Sequence, residues 1–289
     1  MKIKQLSYML MGLFLSACLT DDLSQSPLEL VVEGWIDNDE YPVVIVTTTV
    51  PVSEEVQKTD ELGDYILRWA KVTVSDGEQE VVLTGKYDRR YFPPYIYTTS
   101  RLKGQVGRTY HLTVDYKDFH AEATTTIPPA PHLDSLRLHP CAVSDTLYEL
   151  HAYFSDDLVE QRYYKFFTCN GTQSRMFLSS YMQTLSNEVF TPGQEQDISV
   201  YKGRLVTAPD SYIPYFQQSD TILVKFARMD RRSFDMWDQL EHNMTLGHLP
   251  ITAAKTTPHF NVQGGLGYWC GYGSTVYPVV VADSLSAQP

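Results

Sequence analysis

The side chains most often recruited for chemistry are present in this chain, but they are scattered. His242, His248 and His259 lie along one stretch, Asp156 and Asp157 are adjacent, and Asp37-Asn38-Asp39-Glu40 offers a run of oxygens. A hydrolase needs a nucleophile beside a base, or two facing carboxylates, and no local pattern supplies either. There is no Gly-x-Ser-x-Gly and no His-Glu-x-x-His. The acidic run at Asp37 lacks the full spacing of a calcium loop and reads as a solvated turn. The glycine-rich stretch Gly264 to Gly273 lacks the Lys-Ser/Thr of a phosphate loop and leads into a strand. Its glycines therefore suggest close backbone approach or a bulge under packed aromatics, and not a nucleotide site. The expectation is no catalytic residue, no metal ligand and no cofactor.

Recognition is better represented than catalysis. Tyr87, Tyr91, Phe92, Tyr95 and Tyr97 are threaded by Arg89, Arg90 and Pro93-Pro94. Aromatic rings on a proline-stiffened loop carry large apolar area at low entropic cost, which suits a ligand- or partner-binding surface. The same rings would also serve as core residues of adjoining strands, and both readings are open. A small ligand or a glycan is the kind of occupant such a surface suggests.

The elements that must position these groups are strands. The chain has 289 residues, 43% hydrophobic, with 20 Tyr and 12 Phe and frequent Thr and Val, a mix that favours sheets. Its formal net charge of −12 argues against nucleic acid as a partner. Short apolar segments recur with turn signals between them: Leu28 to Ile36, Val43 to Val50, and Trp69 to Ser75 turning at Asp76-Gly77 into Gln79 to Leu83. Tyr110, Leu112 and Val114 alternate with polar residues, as do Phe119, Ala121 and Ala123, so each strand buries one face. The cluster Ile127-Pro128-Pro129-Ala130-Pro131 stops the pattern.

The expected fold is all-β. An N-terminal immunoglobulin-like β-sandwich over 28–127 is followed by a proline linker over 128–133, then a second β-rich domain over 134–282 carrying one short helix, and a polar tail over 283–289. In that helix Phe234, Trp237, Leu240 and Met244 form an apolar stripe, with Asp230 or Ser233 as cap. Three cysteines lie in this second half. A Cys141 to Cys169 disulfide that clips its opening strands, with Cys270 as a buried thiol, and a fully reduced domain are both open, and a pairing of Cys270 with either of the others is the remaining alternative.

At the N-terminus, Lys2 and Lys4 precede the apolar run Leu6 to Leu15, too short to span a bilayer. Leu15-Ser16-Ala17-Cys18 then carries the spacing of bacterial lipoprotein processing. Residues 1–17 read as a signal peptide, Cys18 as the acylated first residue, and 18–27 as a polar tether. Asp21 and Asp22 in the tether resemble a signal for export to the outer face of the outer membrane in Bacteroidetes-type lipoproteins; a plain linker is the other reading. Asp-Ser/Thr-apolar triplets, among them Asp283-Ser284-Leu285, resemble O-glycan acceptor sites, and Ser284 is the best placed.

Several short segments together resemble one family. They are the lipobox, Leu30-Val31-Val32-Glu33-Gly34-Trp35-Ile36, Gly107-Arg108-Thr109-Tyr110-His111-Leu112-Thr113-Val114, Ala123-Thr124-Thr125-Thr126-Ile127-Pro128, the Trp237 helix, and Gly264-Gly265-Leu266-Gly267-Tyr268. The resemblance is to the Bacteroidetes lipoproteins called domain of unknown function forty-two forty-nine. It implies an outer-membrane lipoprotein often encoded beside a TonB-dependent receptor, and it carries over no catalytic residue. The functional expectation is a lipid-anchored, surface-exposed binding or accessory module that captures a ligand or docks on a TonB-dependent transporter for nutrient uptake. A surface hydrolase assembled from distant residues and a structural or adhesive subunit are the alternatives. If the anchor is the acyl group alone, Cys18→Ala abolishes palmitate labelling and leaves a soluble or slowly processed precursor; labelling that persists in the variant contradicts the assignment.

Overall fold

A computed structural model describes residues 28–49, 63–171, 176–203, 212–246 and 260–281. Cys18, the tether with Asp21 and Asp22, His248, His259, the side chain of Met244, and Ser284 lie outside the described residues. The fold is all-β, with one α-helix among the described residues.

Period-two alternation sets the layers. In β1 (Leu30–Asp37), Leu30, Val32 and Ile36 face one way and Val31, Glu33 and Trp35 the other. It is joined by β2 (Val43–Thr48), β5 (Thr84–Tyr87) and β6 (Tyr95–Thr98). A five-stranded sheet packs against the Leu30 face. It contains β3 (Lys71–Ser75), β4 (Glu80–Val82), β7 (Thr109–Tyr116), β8 (Phe119–Thr126) and β16 (Val262–Gln263), in the order β16-β8-β7-β3-β4. Between them lie Val32, Val44, Val46, Tyr97, Val72, Val74, Tyr110, Leu112 and Trp269. The Asp76-Gly77 turn forms as expected, with Gly77 at φ +88° and Gln79 N–H donating to Asp76 Oδ1 at 2.9 Å.

The second half builds a similar pair. β11 (Tyr163–Asn170), β12 (Leu178–Ser186) and β15 (Thr221–Met229) face a four-stranded sheet of β9 (Ser135–Pro140), β10 (Leu147–Phe154), β13 (Gln196–Val200) and β14 (Phe216–Gln217). Their core is aromatic: Phe166 stacks on Phe226 with centroids 4.5 Å apart, and Phe154 lies 4.8 Å from Phe226.

The two halves are not separate domains strung on a linker. The last strand, β17 (Leu266–Val280), pairs in parallel with β1 through residues 266–272 and antiparallel with β15 through 273–280. One eight-stranded sheet results, in the order β12-β11-β15-β17-β1-β2-β6-β5. The expected sandwich over 28–127 is therefore completed by β16 and the first half of β17, which the division at the proline cluster places in the other domain. The prolines themselves pack on β17. Thr275 Oγ1 donates to the Pro131 carbonyl at 3.1 Å, and a Cβ on Gly273 would stand 1.9 Å from the Pro128 carbonyl oxygen.

Glycine makes the parallel pairing possible. Gly267 has φ +109°, and a Cβ there would meet the Val32 carbonyl oxygen at 1.9 Å. Next to it the buried Trp269 donates its indole N–H to the Tyr110 carbonyl at 3.1 Å. Asn261 acts as a one-residue strand, accepting from Trp269 N–H at 2.8 Å and donating to its carbonyl at 2.7 Å.

The Cys141 to Cys169 bridge is absent: Cys141, Cys169 and Cys270 are all buried and none is in a disulfide. The physical reason is topological. Cys141 follows β9 in the four-stranded sheet, whereas Cys169 sits on β11 opposite Leu223 in the eight-stranded one. The two cysteines lie in different layers, and Cys169 shares the parity of Tyr163 and Phe167 on the face turned away from the four-stranded sheet.

Candidate functional site

The outer face of the eight-stranded sheet, turned away from both smaller sheets, carries the groups with chemical potential. Parity along β1 puts Glu33, Trp35 and Asp37 there, and the parallel register sets them beside Tyr268, Cys270 and Tyr272 of β17. The helix α1 (Arg231–Leu246) covers the portion over β11, β15 and β17. Asp230 caps it, its Oδ1 accepting Ser233 N–H at 2.8 Å, while its Oδ2 accepts the Thr125 hydroxyl of β8 at 3.0 Å. Trp237 and Phe234 of the expected stripe face the sheet. Trp237 lies 5.6 Å from Tyr268 and donates its indole N–H to the Tyr272 hydroxyl at 2.8 Å.

Two lysines are buried under this cover, and both are fully engaged. Lys225 donates to both oxygens of Asp37, at 2.6 and 2.9 Å, and the Ser274 hydroxyl donates to the same carboxylate at 2.8 Å. The rings of Phe167 and Tyr272, each 4.8 Å from the Lys225 ammonium, complete its cage. Lys165 donates to Glu241 of α1 at 2.6 Å and to Thr184 at 2.9 Å, with the Trp237 ring 4.4 Å away. Burial pulls the Lys165 ammonium below the usual lysine range, and Glu241 opposes that shift. Glu241 also accepts the N–H groups of Gln183 and Thr184, at 3.3 and 3.2 Å, which fastens α1 to β12. Burial pushes the Cys270 thiol up to about 12, so it stays protonated and unreactive at neutral pH.

Beyond the portion that α1 covers, the same face carries Glu33, which is partly buried. Burial raises its carboxyl above the usual range, and no hydrogen bond or ion pair holds it among the described residues. Trp35 stands beside it with Tyr91 at 6.0 Å between ring centroids, both packed on Val43, Ile45 and Ile96. Tyr268 flanks it on the other side, its phenol also raised by burial and by the Glu33 charge. A carboxylate acceptor set among aromatic faces suits a ligand that offers hydroxyl or ammonium donors together with a C–H face.

The five aromatics singled out by sequence divide. Tyr97 is core, its hydroxyl donating to the Leu67 carbonyl at 2.6 Å and accepting Ala70 N–H at 3.0 Å. Tyr95 is structural too, donating to the Arg68 carbonyl at 3.0 Å. For these two the binding role is replaced by packing, because they alternate across β6 into the first core. Tyr91 reaches the open face beside Trp35; Phe92 is partly exposed on the loop, and Tyr87 is 63% exposed on the edge strand β5. Asp88 orders that loop, accepting Arg90 N–H at 3.1 Å and its Nε–H at 2.9 Å, and the Arg90 guanidinium holds its carboxyl down at about 2. Glu33, Trp35 and Tyr268 were missed as site residues, although their shared parity in Glu-Gly-Trp placed Glu33 and Trp35 on one face.

The scattered acids and histidines do not assemble a catalytic centre. Arg162 binds Asp156 at 3.0 Å and Asp157 at 3.1 Å, and Tyr164 donates to Asp156 at 2.6 Å. His242 is exposed on α1. On the four-stranded sheet His151 Nδ1 meets Asp197 at 2.7 Å and its Nε2 lies 3.7 Å from Glu149, so both ring nitrogens face carboxylates.

The family model described as Domain of unknown function (DUF4249) matches residues 19–277. No curated protein matches the chain.

The folded protein binds the Glu33 proton more tightly than the unfolded chain does, because burial raises its pKa. The ionised carboxylate thus costs stability at neutral pH, and the cost fades as pH falls through the carboxylate range, to about 4. Glu33→Gln accordingly raises the melting temperature at neutral pH, and its advantage shrinks on acidification. A melting temperature that is lower than the parent's at neutral pH, or a pH-independent difference, contradicts the unpaired carboxylate.

Proposed function

As the chain belongs to the family described as Domain of unknown function (DUF4249), a description that assigns no activity, we propose that it is a lipid-anchored, surface-exposed binding module of the outer membrane. It captures a ligand or docks on a TonB-dependent transporter through the outer face of its long sheet, in support of nutrient uptake. The observation that carries this proposal is the partly buried patch of Glu33, Trp35, Tyr91 and Tyr268, where a carboxylate with no partner among the described residues lies among aromatic rings. Such an acceptor is a group that a donor-bearing ligand can satisfy. The enzyme alternative is less well supported, since the buried lysines are saturated and the Cys270 thiol is held protonated.

Tagged protein recovered from detergent-solubilised outer membrane tests the proposal. A transporter co-purifies at near-stoichiometric level, and Trp35→Ala/Tyr91→Ala lowers that recovery by about tenfold or more, the loss of a central aromatic anchor. Recovery of no transporter contradicts the partner; equal recovery with the double variant contradicts the face.

A further inference from the structure

The end of the molecule where β1 begins has an unusual composition, and the registers define it. Leu30 pairs with Thr48, so β2 finishes at this end. β6 runs antiparallel to β2, with Val43 opposite Thr98 and Val44 opposite Tyr97, so β6 starts here. Tyr87 pairs with Tyr95, which brings the 88–94 loop to the same end. Ile66 bridges to Thr47, Leu67 N–H donates to the Val46 carbonyl at 2.9 Å, and the Tyr95 hydroxyl reaches the Arg68 carbonyl. The segment 66–69 therefore joins Leu28 and the two ends of the 88–94 loop at one pole, while Tyr91 within that loop folds back along the sheet to Trp35.

That pole carries the most exposed of the four tryptophans. Trp69 is 88% exposed, whereas Trp35 and Trp237 are partly buried and Trp269 is fully buried. Tyr87 and Leu28 are exposed and Phe92 partly so. Arg68, Lys86, Arg89 and Arg90 surround them, Asp88 being already engaged by Arg90 and Lys86; among the described residues Glu29 and Asp64 are the other acids placed there. Exposed Trp and Tyr rings interleaved with Arg and Lys match the membrane–water interface, where ring and stem enter the headgroup layer and the charges meet phosphate.

We propose that this pole rests on the phospholipid surface, with Trp69, Tyr87 and Phe92 in the headgroup region and Arg68, Lys86 and Arg89 at the phosphates. The proposal rests on the reading of Cys18 as the acylated residue. The chain between that residue and Leu28 decides the occupant. Ten residues, 18–27, reach at most about 35 Å when fully extended. The tether enters the fold at Leu28, so this pole is the part of the folded protein held nearest the bilayer. The acyl anchor supplies residence; the aromatic contacts only have to orient the molecule, and at such effective concentration weak contacts suffice. Orientation on this pole stands the long sheet upright and turns the Glu33 face sideways, toward a neighbour embedded in the same membrane.

The test uses the mature acylated protein in phosphatidylethanolamine–phosphatidylglycerol vesicles whose acyl chains carry bromine, which quenches nearby indoles. Trp69 is one of 4 tryptophans. The expected result is loss of one exposed emission component in wild type and no such loss in Trp69→Phe, a surface change that leaves the core untouched. A floated protein whose emission is unquenched, or quenched equally in Trp69→Phe, overturns the docking while leaving the anchor intact. A missing acyl mass on Cys18 overturns both. Shielding of Trp69 from aqueous iodide only when the transporter is present, with no bromine quenching, would make the pole a protein contact instead and overturn the lipid assignment.

Discussion

One strand serves two cores. β17 is 15 residues long, about 50 Å of extended chain. Its first half closes the sandwich of β1 and its second half the sandwich of β15. Neither sandwich has a complete inner sheet without it. The packing around the crossing point reflects this. Gly271 N–H donates to the Thr125 hydroxyl at 2.7 Å, and that hydroxyl donates in turn to the helix cap Asp230, so strand, five-stranded sheet and helix meet within a few residues.

The Asp37–Lys225 pair sits at the same crossing, joining β1 to β15 across β17. A buried ion pair contributes little net stability over an apolar replacement, yet removing one partner leaves an uncompensated charge and costs about 3–5 kcal/mol. Its value is therefore in specificity of assembly: the two halves dock in the one register that satisfies both charges. The Lys165–Glu241 pair does the same for α1, whose apolar stripe alone would tolerate a range of positions on the sheet. With these groups saturated, the chemical potential of the outer face among the described residues reduces to Glu33 and the aromatic rings around it.

Much of this was legible from local pattern, because alternation and caps are local physics. Asp230 caps the helix through its own side chain, as its type and place suggested. The first half of β17 was read only as a glycine-rich stretch leading into a strand, since it has a low strand propensity and forms by pairing with a strand more than two hundred residues away. The same non-local pairing made the proline cluster look like a linker between autonomous domains. Lys165 and Lys225 stand inside apolar runs, but which acids neutralise them depends on topology that no periodicity reports. Among the aromatics, composition identified a loop and a strand together, and only the register separated Tyr95 and Tyr97 of the core from Tyr87, Tyr91 and Phe92. Trp69 stands alone in sequence, so its exposure beside that loop became visible only when the segment 66–69 was placed.

If β17 makes one folding unit of two sandwiches, denaturant unfolding followed by tryptophan emission and by far-ultraviolet circular dichroism gives a single superimposed transition. Trp269 reports on the first sandwich and Trp237 on the second. Asp37→Ala, whose side chain lies at the crossing, shifts both probes together by about 3–5 kcal/mol. Two separated transitions in the parent chain, or a shift confined to one probe in the variant, would contradict the shared strand as the constraint that holds the molecule together.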